Sequence, residues 1–336
     1  MTSIENSDPP SSDLSKLSRL YASGDLKSVE SFCEVLLAAY PDSAVVYNVL
    51  GVALEGQGKL EESVLAYEKT NQKNPGHLDA YHNAGVLLSK LGRFEEARKK
   101  YVKIIEQSPK DGDAYNNLGV ILQKLSQHRL AASYLQKAVV LQPGNASTFF
   151  NYANSLRELE ESDKALENYD SAIRLNPSFS IAFNNRGSLL ESIHNYEEAW
   201  RSYTKAIELN PRYVAAYSNR GGIEQKLGNY AQSELDLSEA IKLDPWKETD
   251  PSEASNFKFR LYISLGDTQM YLGQYKKALA SYDSAVAIEP ENKDVLAFKG
   301  NALAGLGKLS EGLRLKQESF GFICFDVLKG VSIVRG

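Results

Sequence analysis

Cysteine is nearly absent from this chain of 336 residues: Cys33 and Cys324 stand alone at its two ends. Thiols so far apart in sequence offer neither a disulfide framework nor metal-ligand spacing, and they suit a reducing compartment. Histidine is almost as scarce, and His77, His82, His128 and His194 form no ligand cluster. A His-Glu-x-x-His helix, a phosphate-binding loop, a Gly-x-Ser-x-Gly elbow and a dinucleotide fingerprint are all missing. No cofactor, no metal and no enzymatic activity are therefore expected of the chain alone. Apolar runs of the roughly 18–20 residues that span a bilayer are lacking too, which excludes a membrane helix. The opening Met1-Thr-Ser-Ile-Glu-Asn carries neither a basic nor an apolar segment, so no secretory signal is expected and the cytoplasm is the expected location. Lys and Arg form no block and the net charge is −5, which argues against nucleic acid as a partner.

Proline, by contrast, keeps a beat. Pro41, Pro75, Pro109, Pro143, Pro177, Pro211 and Pro245 follow one another at 34 residues, and Pro290 comes after 45, the same period plus an insertion of eleven. A fixed period of this size marks a solenoid of stacked units. With proline as position 32, position 8 reads Gly51, Gly85, Gly119, Ala153, Gly187, Gly221, Gly266 and Gly300. Position 20 is small (Ser63, Ala97, Ala131, Ala165, Ala199, Ser233, Ala278). Position 4 is aromatic from Tyr47 to Tyr262, and position 24 alternates between Tyr (Tyr67, Tyr101, Tyr169, Tyr203, Tyr282) and Leu (Leu135, Leu237). Each unit splits into two runs with helical apolar spacing, separated by a break that often carries Gly (Gly58, Gly92, Gly228, Gly273). Small residues at positions 8 and 20 let the two helices approach, and proline ends the second.

This pattern resembles the tetratricopeptide repeat. The resemblance implies an all-α fold, a right-handed superhelical solenoid of antiparallel helix pairs with about nine units. The organisation expected is a disordered N-terminus (1–12), a degenerate capping unit (13–43), six regular units (44–245), a loop insertion (246–256), a seventh regular unit (257–292), a degenerate last unit (293–319) and a β-hairpin cap (320–336). The hairpin is expected from the β-rich runs around Phe320–Phe325 and Val331–Val334. An isolated hairpin is marginal in water, so it must dock on the last unit or pair with another subunit, which would give self-association. The insertion carries Trp246, a residue type enriched at interfaces.

The resemblance also implies that the first helix of each pair lines a concave groove through positions 2, 5, 6, 9 and 13. Position 6 is Asn83, Asn117, Asn151, Asn185 and Asn219 in five successive units. Asn costs several tenths of a kcal/mol against Ala inside a helix, so its repetition needs a cause. Its amide can satisfy both the N–H and the C=O of a peptide unit. Helices about 8–10 Å apart would set one Asn against roughly every third residue of an extended chain rising about 3.3 Å per residue. Such a ladder is similar to those in the tetratricopeptide domains of O-linked N-acetylglucosamine transferases and Spindly proteins, which hold extended polypeptide. Asn116 and Asn184 at position 5 and Asn154 at position 9 join these five as candidate peptide-binding residues, and a structural inter-repeat hydrogen bond is the alternative use of such an amide. Position 9 is Val52, Val86 and Val120 in the first half, which predicts a more apolar groove there.

A carboxylate clamp for Hsp70 or Hsp90 tails is excluded, because Phe150, Ala215 and Asn219 stand where its cations belong. Arg186 and Arg220, at the usually apolar position 7, are expected to pack their stems between helices and snorkel their heads to the edge. The function expected is a non-enzymatic scaffold that binds an extended segment of a partner protein. The alternative is a substrate-recruiting subunit for a separately encoded glycosyltransferase or similar enzyme.

Overall fold

The computed structural model describes residues 8–243, 251–290, 292–320, 322–326 and 330–334. The chain forms two compact units, Met1–Leu175 and Asn176–Gly336. The first holds five helix pairs: α1 (Ser11–Ala22) with α2 (Leu26–Ala39), α3 (Ala44–Gly56) with α4 (Leu60–Lys73), α5 (Leu78–Lys90) with α6 (Phe94–Gln107), α7 (Gly112–Lys124) with α8 (His128–Leu141), and α9 (Ala146–Glu158) with α10 (Ser162–Leu175). The second holds four: α11 (Ser180–Ser192) with α12 (Tyr196–Leu209), α13 (Val214–Lys226) with α14 (Tyr230–Lys242), α15 (Pro251–Tyr271) with α16 (Tyr275–Ile288), and α17 (Lys293–Gly305) with α18 (Leu309–Phe320). Within each unit every helix packs on the one before it and the one after it.

The repeat places its stop and start signals at fixed points. Two residues after the proline, a polar side chain caps the next helix in the second to fifth pairs. Ser43 Oγ accepts from Val46 N at 3.3 Å, Asp111 Oδ1 from Ala114 N at 2.9 Å and Asn145 Oδ1 from Ser147 N at 3.0 Å. Such caps satisfy donors that the first helical turn leaves open. Between the two helices of a pair, position 15 is left-handed throughout. Gly24, Gly58, Gly92, Gly228, Gly273 and Gly307 have φ between 69° and 80° there, and Ser126, Glu160 and His194 are held at 57°, 60° and 62°. An L-residue pays roughly 1–2 kcal/mol for this conformation, so three pairs carry strain that the others avoid.

The core of each pair closes where position 8 meets position 24. A Cβ on Gly85 would lie 2.9 Å from the Tyr101 ring, and one on Gly187 would lie 2.7 Å from that of Tyr203. Tyr67, Tyr101, Tyr169, Tyr203 and Tyr282 are among the largest fully buried side chains. Ser63 at position 20 adds a polar link, donating to the Gly51 carbonyl at 2.7 Å. The last pair closes differently: a Cβ on Gly300 would lie 2.6 Å from the Gly312 carbonyl oxygen. Gly312, in place of the Ala or Ser at position 20 of the regular units, thus brings two backbones together where other pairs interpose a side chain.

Four expectations are corrected. The N-terminus is ordered from Asp8: its carboxylate accepts from the Ser43 hydroxyl at 2.6 Å, Pro9 is buried, and α1 starts at Ser11. The reason is that Ser43 is fully buried and needs an acceptor for its proton. Residues 1–7 lie outside the described residues. The insertion is not all loop, because α15 begins at Pro251. Proline is well suited to a first helical position, and Ala254, Phe257, Leu261 and Leu265 extend one apolar stripe back from the repeat. Trp246 lies outside the described residues. Arg220 does not snorkel: it forms a two-pronged ion pair with Asp236, Nε–Oδ2 2.7 Å and Nη2–Oδ1 2.8 Å, with the Asp236 side chain 3% exposed. Burial alone would lower the guanidinium pKa, but the Asp236 bonds outweigh it and the net direction is up. Arg186 likewise turns inward, donating to Ser202 Oγ at 2.8 Å.

After α18, strands β1 (Phe322–Asp326) and β2 (Gly330–Val334) pair antiparallel, Phe322 opposite Val334. The capping contacts expected of this segment involve side chains outside the described residues.

Two substitutions test this frame by urea denaturation. Gly85→Val inserts atoms against the Tyr101 ring and is expected to destabilise by about 1–3 kcal/mol. Glu160→Gly relieves a left-handed side chain and is expected to stabilise by about 1 kcal/mol.

Candidate functional site

The first helix of each pair carries the ladder. In the first unit, α5, α7 and α9 present half-buried Asn83, Asn116, Asn117, Asn151 and Asn154. Their amides are already partly engaged. Asn151 Nδ2 donates to Asn116 Oδ1 at 3.0 Å across neighbouring repeats, and Asn116 Nδ2 reaches Asn117 Oδ1 at a longer 3.4 Å. The second unit repeats the arrangement: Asn219 Nδ2 donates to Asn184 Oδ1 at 3.1 Å, and Asn184 Nδ2 reaches Asn185 Oδ1 at 3.4 Å. Position 5 is therefore the middle of a three-amide relay, and Asn184 is buried within it.

Because an amide that accepts also donates more strongly, each relay polarises its ends. Among the described residues, the Asn117 amide donors and Asn151 Oδ1 make no side-chain bond beyond the relay. A donor at one end and an acceptor at the other match the C=O and N–H of a peptide unit.

One ladder residue is tied elsewhere. Asn154 Oδ1 accepts from the Tyr169 hydroxyl at 2.6 Å. The Tyr67 hydroxyl lies 3.4 Å from Glu55 Oε2 at position 12. Asn48 stands to Asn83 as Asn116 stands to Asn151, but its buried Oδ1 has no hydrogen-bond partner among the described residues. The position-24 phenols thus reach into this face, at position 12 (Tyr203 to Glu191, 2.9 Å) or position 9 (Tyr282 to Asp267, 2.7 Å). Burial pushes the Tyr67, Tyr203 and Tyr282 hydroxyls above their ordinary pKa, so they remain protonated donors.

Sequence reasoning missed the glutamines at position 12. Gln123 Nε2 donates to the Asn151 carbonyl and to Ser155 Oγ, both at 2.7 Å. Gln225 Nε2 does the same to the Ser264 carbonyl at 2.9 Å and Thr268 Oγ1 at 2.6 Å. The available signal was a hydroxyl at position 10 of the following unit, opposite each glutamine. Val52, Val86 and Val120 are half-buried at position 9, and Val52 packs on the core of the first unit. Among the described residues no group of His, Cys, Asp and Glu could hold a metal ion, and no helix is long and apolar enough to cross a membrane.

Removing the middle of a relay should cost stability, whereas removing its end should not. Asn184→Ala strands the Asn219 donor and is expected to destabilise by about 1–3 kcal/mol in urea unfolding. Asn117→Ala is expected to stay within about 0.5 kcal/mol of the parent.

Residues 82–146, 151–200 and 192–246 match one model of the tetratricopeptide repeat, and residues 259–292 match another, together more than half of the chain. No curated protein matches it. Among solved structures, the C-terminal part of a TPR repeat-containing protein from Cytophaga hutchinsonii is 17% identical with a TM-score of 0.56, covering 76% of this chain and 98% of that one. The APC/C heterotetramer Cut9-Hcn1 gives 14% identity and a TM-score of 0.54 over 88% of this chain and 56% of that one. YrrB, described as a TPR protein with an unusual peptide-binding site, is 26% identical with a TM-score of 0.48, over 55% of this chain and 95% of that one.

Proposed function

The chain belongs to the tetratricopeptide repeat family, and on that premise we propose that it is a non-enzymatic scaffold holding an extended segment of a partner protein against its first-helix faces. Proteins of this family generally mediate protein–protein interactions. The observation that carries the finer reading is the amide relay. In Asn151–Asn116–Asn117 the inner bonds fix the side chains, and the ends keep an acceptor and a donor for a ligand main chain. Amides held by their neighbours lose little side-chain entropy on binding, so their bonds to a ligand are worth more.

The relay bonds support a division of roles among the eight candidate asparagines. Asn117, Asn151 and Asn219 are the preferred contacts, with Asn83 and Asn185 as further rungs. Asn116, Asn184 and Asn154 serve through the bonds that hold their neighbours. Main-chain recognition tolerates varied side chains, which suits a partner segment defined more by being extended than by a strict motif.

The test starts from a dodecapeptide selected on the purified chain from a random displayed library. Replacing its backbone N–H groups one at a time by N-methyl should weaken binding at every third residue or so. The triple variant Asn117→Ala, Asn151→Ala, Asn185→Ala should keep its helical circular dichroism and lose at least about tenfold in affinity, or about 1.4 kcal/mol. Unchanged affinity for both the methylated peptides and the variant would contradict main-chain recognition.

A further inference from the structure

One cavity of the second unit departs from the amide chemistry of the ladder. It has a volume of about 540 Å³ and lies along the first-helix face, between the ends of α13 and α15 and the middle of α17. Its walls are Tyr230, Tyr271, Tyr282 and Phe298, with the Asp267 carboxylate and Lys226 among them. Tyr230 and Tyr271 lie flat on each other, with centroids 4.5 Å apart and planes 6° from parallel. Tyr271 is 70% exposed. A large ring held open to solvent by its neighbour has paid its ordering cost before any ligand arrives.

The charges in the cavity do not cancel. Lys226 Nζ is occupied by Glu191 Oε1 at 2.7 Å. Asp267 Oδ1 accepts the Tyr282 hydroxyl at 2.7 Å, and among the described residues no cation pairs with this carboxylate. Burial raises its pKa despite the Tyr282 bond, the behaviour of a carboxylate that lacks a counter-ion. Its equivalents at position 9 in the other units are Ser18, Val52, Val86, Val120, Asn154, Ser188, Gly222 and Asn301, so no other described unit places a charge there.

We propose that this cavity receives an arginine side chain of the bound segment, the guanidinium stacking on the Tyr271 face and bonding Asp267. The inference rests on the reading of the first-helix face as a peptide-binding surface and specifies one side-chain pocket on it. A planar guanidinium suits both walls: it stacks on aromatic faces and binds carboxylate oxygens through parallel N–H groups. An ammonium satisfies the charge but not the stacking geometry. A neutral aromatic would fill the space and leave the carboxylate without a partner, which is costly once water is excluded. The arrangement therefore selects charge through Asp267 and planarity through the tyrosine pair.

The test uses three acetylated, amidated pentapeptides, Gly-Ala-Xaa-Ala-Gly with Xaa Arg, Lys or Gln, titrated against the full chain and followed by NMR shifts of the tyrosine rings. The Arg peptide is expected to bind at least about tenfold tighter than the Gln peptide and to move the Tyr271 and Tyr230 resonances. Asp267→Asn keeps an acceptor for Tyr282 and should erase the Arg preference. Tyr271→Ala changes an exposed side chain and should reduce the preference without shifting the thermal midpoint. Equal binding of Arg and Gln peptides, a preference that survives Asp267→Asn, or equal binding of Arg and Lys would each overturn the assignment. Equal binding of all three peptides that is lost on backbone N-methylation would keep the wider peptide-binding reading and reject this pocket. Arg-selective binding indifferent to N-methylation would keep the pocket and reject main-chain recognition.

Discussion

How closely two helices of a pair approach is decided at one point, where position 8 faces the ring or branched side chain at position 24. Glycine there lets a buried tyrosine or leucine lie directly on the opposing backbone, as Tyr101 lies on Gly85 and Tyr203 on Gly187. The same contact has a second effect. Because the tyrosine crosses the pair, its hydroxyl emerges near the first-helix face, where it bonds Glu191, Asn154 or Asp267. Packing inside a pair and chemistry on its face are thus two ends of one side chain. In the fifth pair Ala153 replaces the glycine, and Tyr169 sends its hydroxyl to Asn154 at position 9. Where position 24 is Leu135 or Leu237 no hydroxyl arrives, and position 9 is Val120 or Gly222.

A second layer joins one pair to the next within each unit, and it is polar. The Asn151–Asn116 and Asn219–Asn184 bonds and the Gln123 and Gln225 contacts all run from one first helix to its successor. These amides fix the spacing of the side chains along the first helices. They also explain why helix-weakening asparagine recurs: one at position 5 and one at position 6 act together, and neither is explained by propensity alone. The first rung shows the cost when the partnership breaks. No bond joins Asn83 to Asn48 among the described residues, and the buried Asn48 oxygen has no partner there.

Much of the architecture was legible because it repeats. A glycine or proline at one position is ambiguous, but at 34-residue intervals it reports helix ends and close contacts. What stayed hidden depends on partners distant in sequence or on conformation that identity does not dictate. Ser126, Glu160 and His194 adopt the left-handed turn that glycine would mark, because the flanking helices impose it. Arg220 reads as an edge residue until Asp236, on the next helix, is seen to be buried beside it. The inserted segment looks like a loop by composition, yet from Pro251 its apolar stripe on the core outweighs its polar character. The candidate site was legible as a row of asparagines. The division of labour between positions 5 and 6 was not, since each relay joins residues 35 apart.

The central claim is that position-6 amides read a ligand main chain while position-5 amides hold them in place. The most direct measurement is the side-chain amide proton–nitrogen NMR spectrum of the chain as a selected peptide is titrated in. The account predicts that the Asn117, Asn151 and Asn219 side-chain resonances shift toward saturation together with the peptide. The Asn184 resonance should keep its buried, hydrogen-bonded position throughout. Saturation of the peptide with all of these asparagine amides unmoved, and shifts confined to the second helices of the pairs, would contradict it.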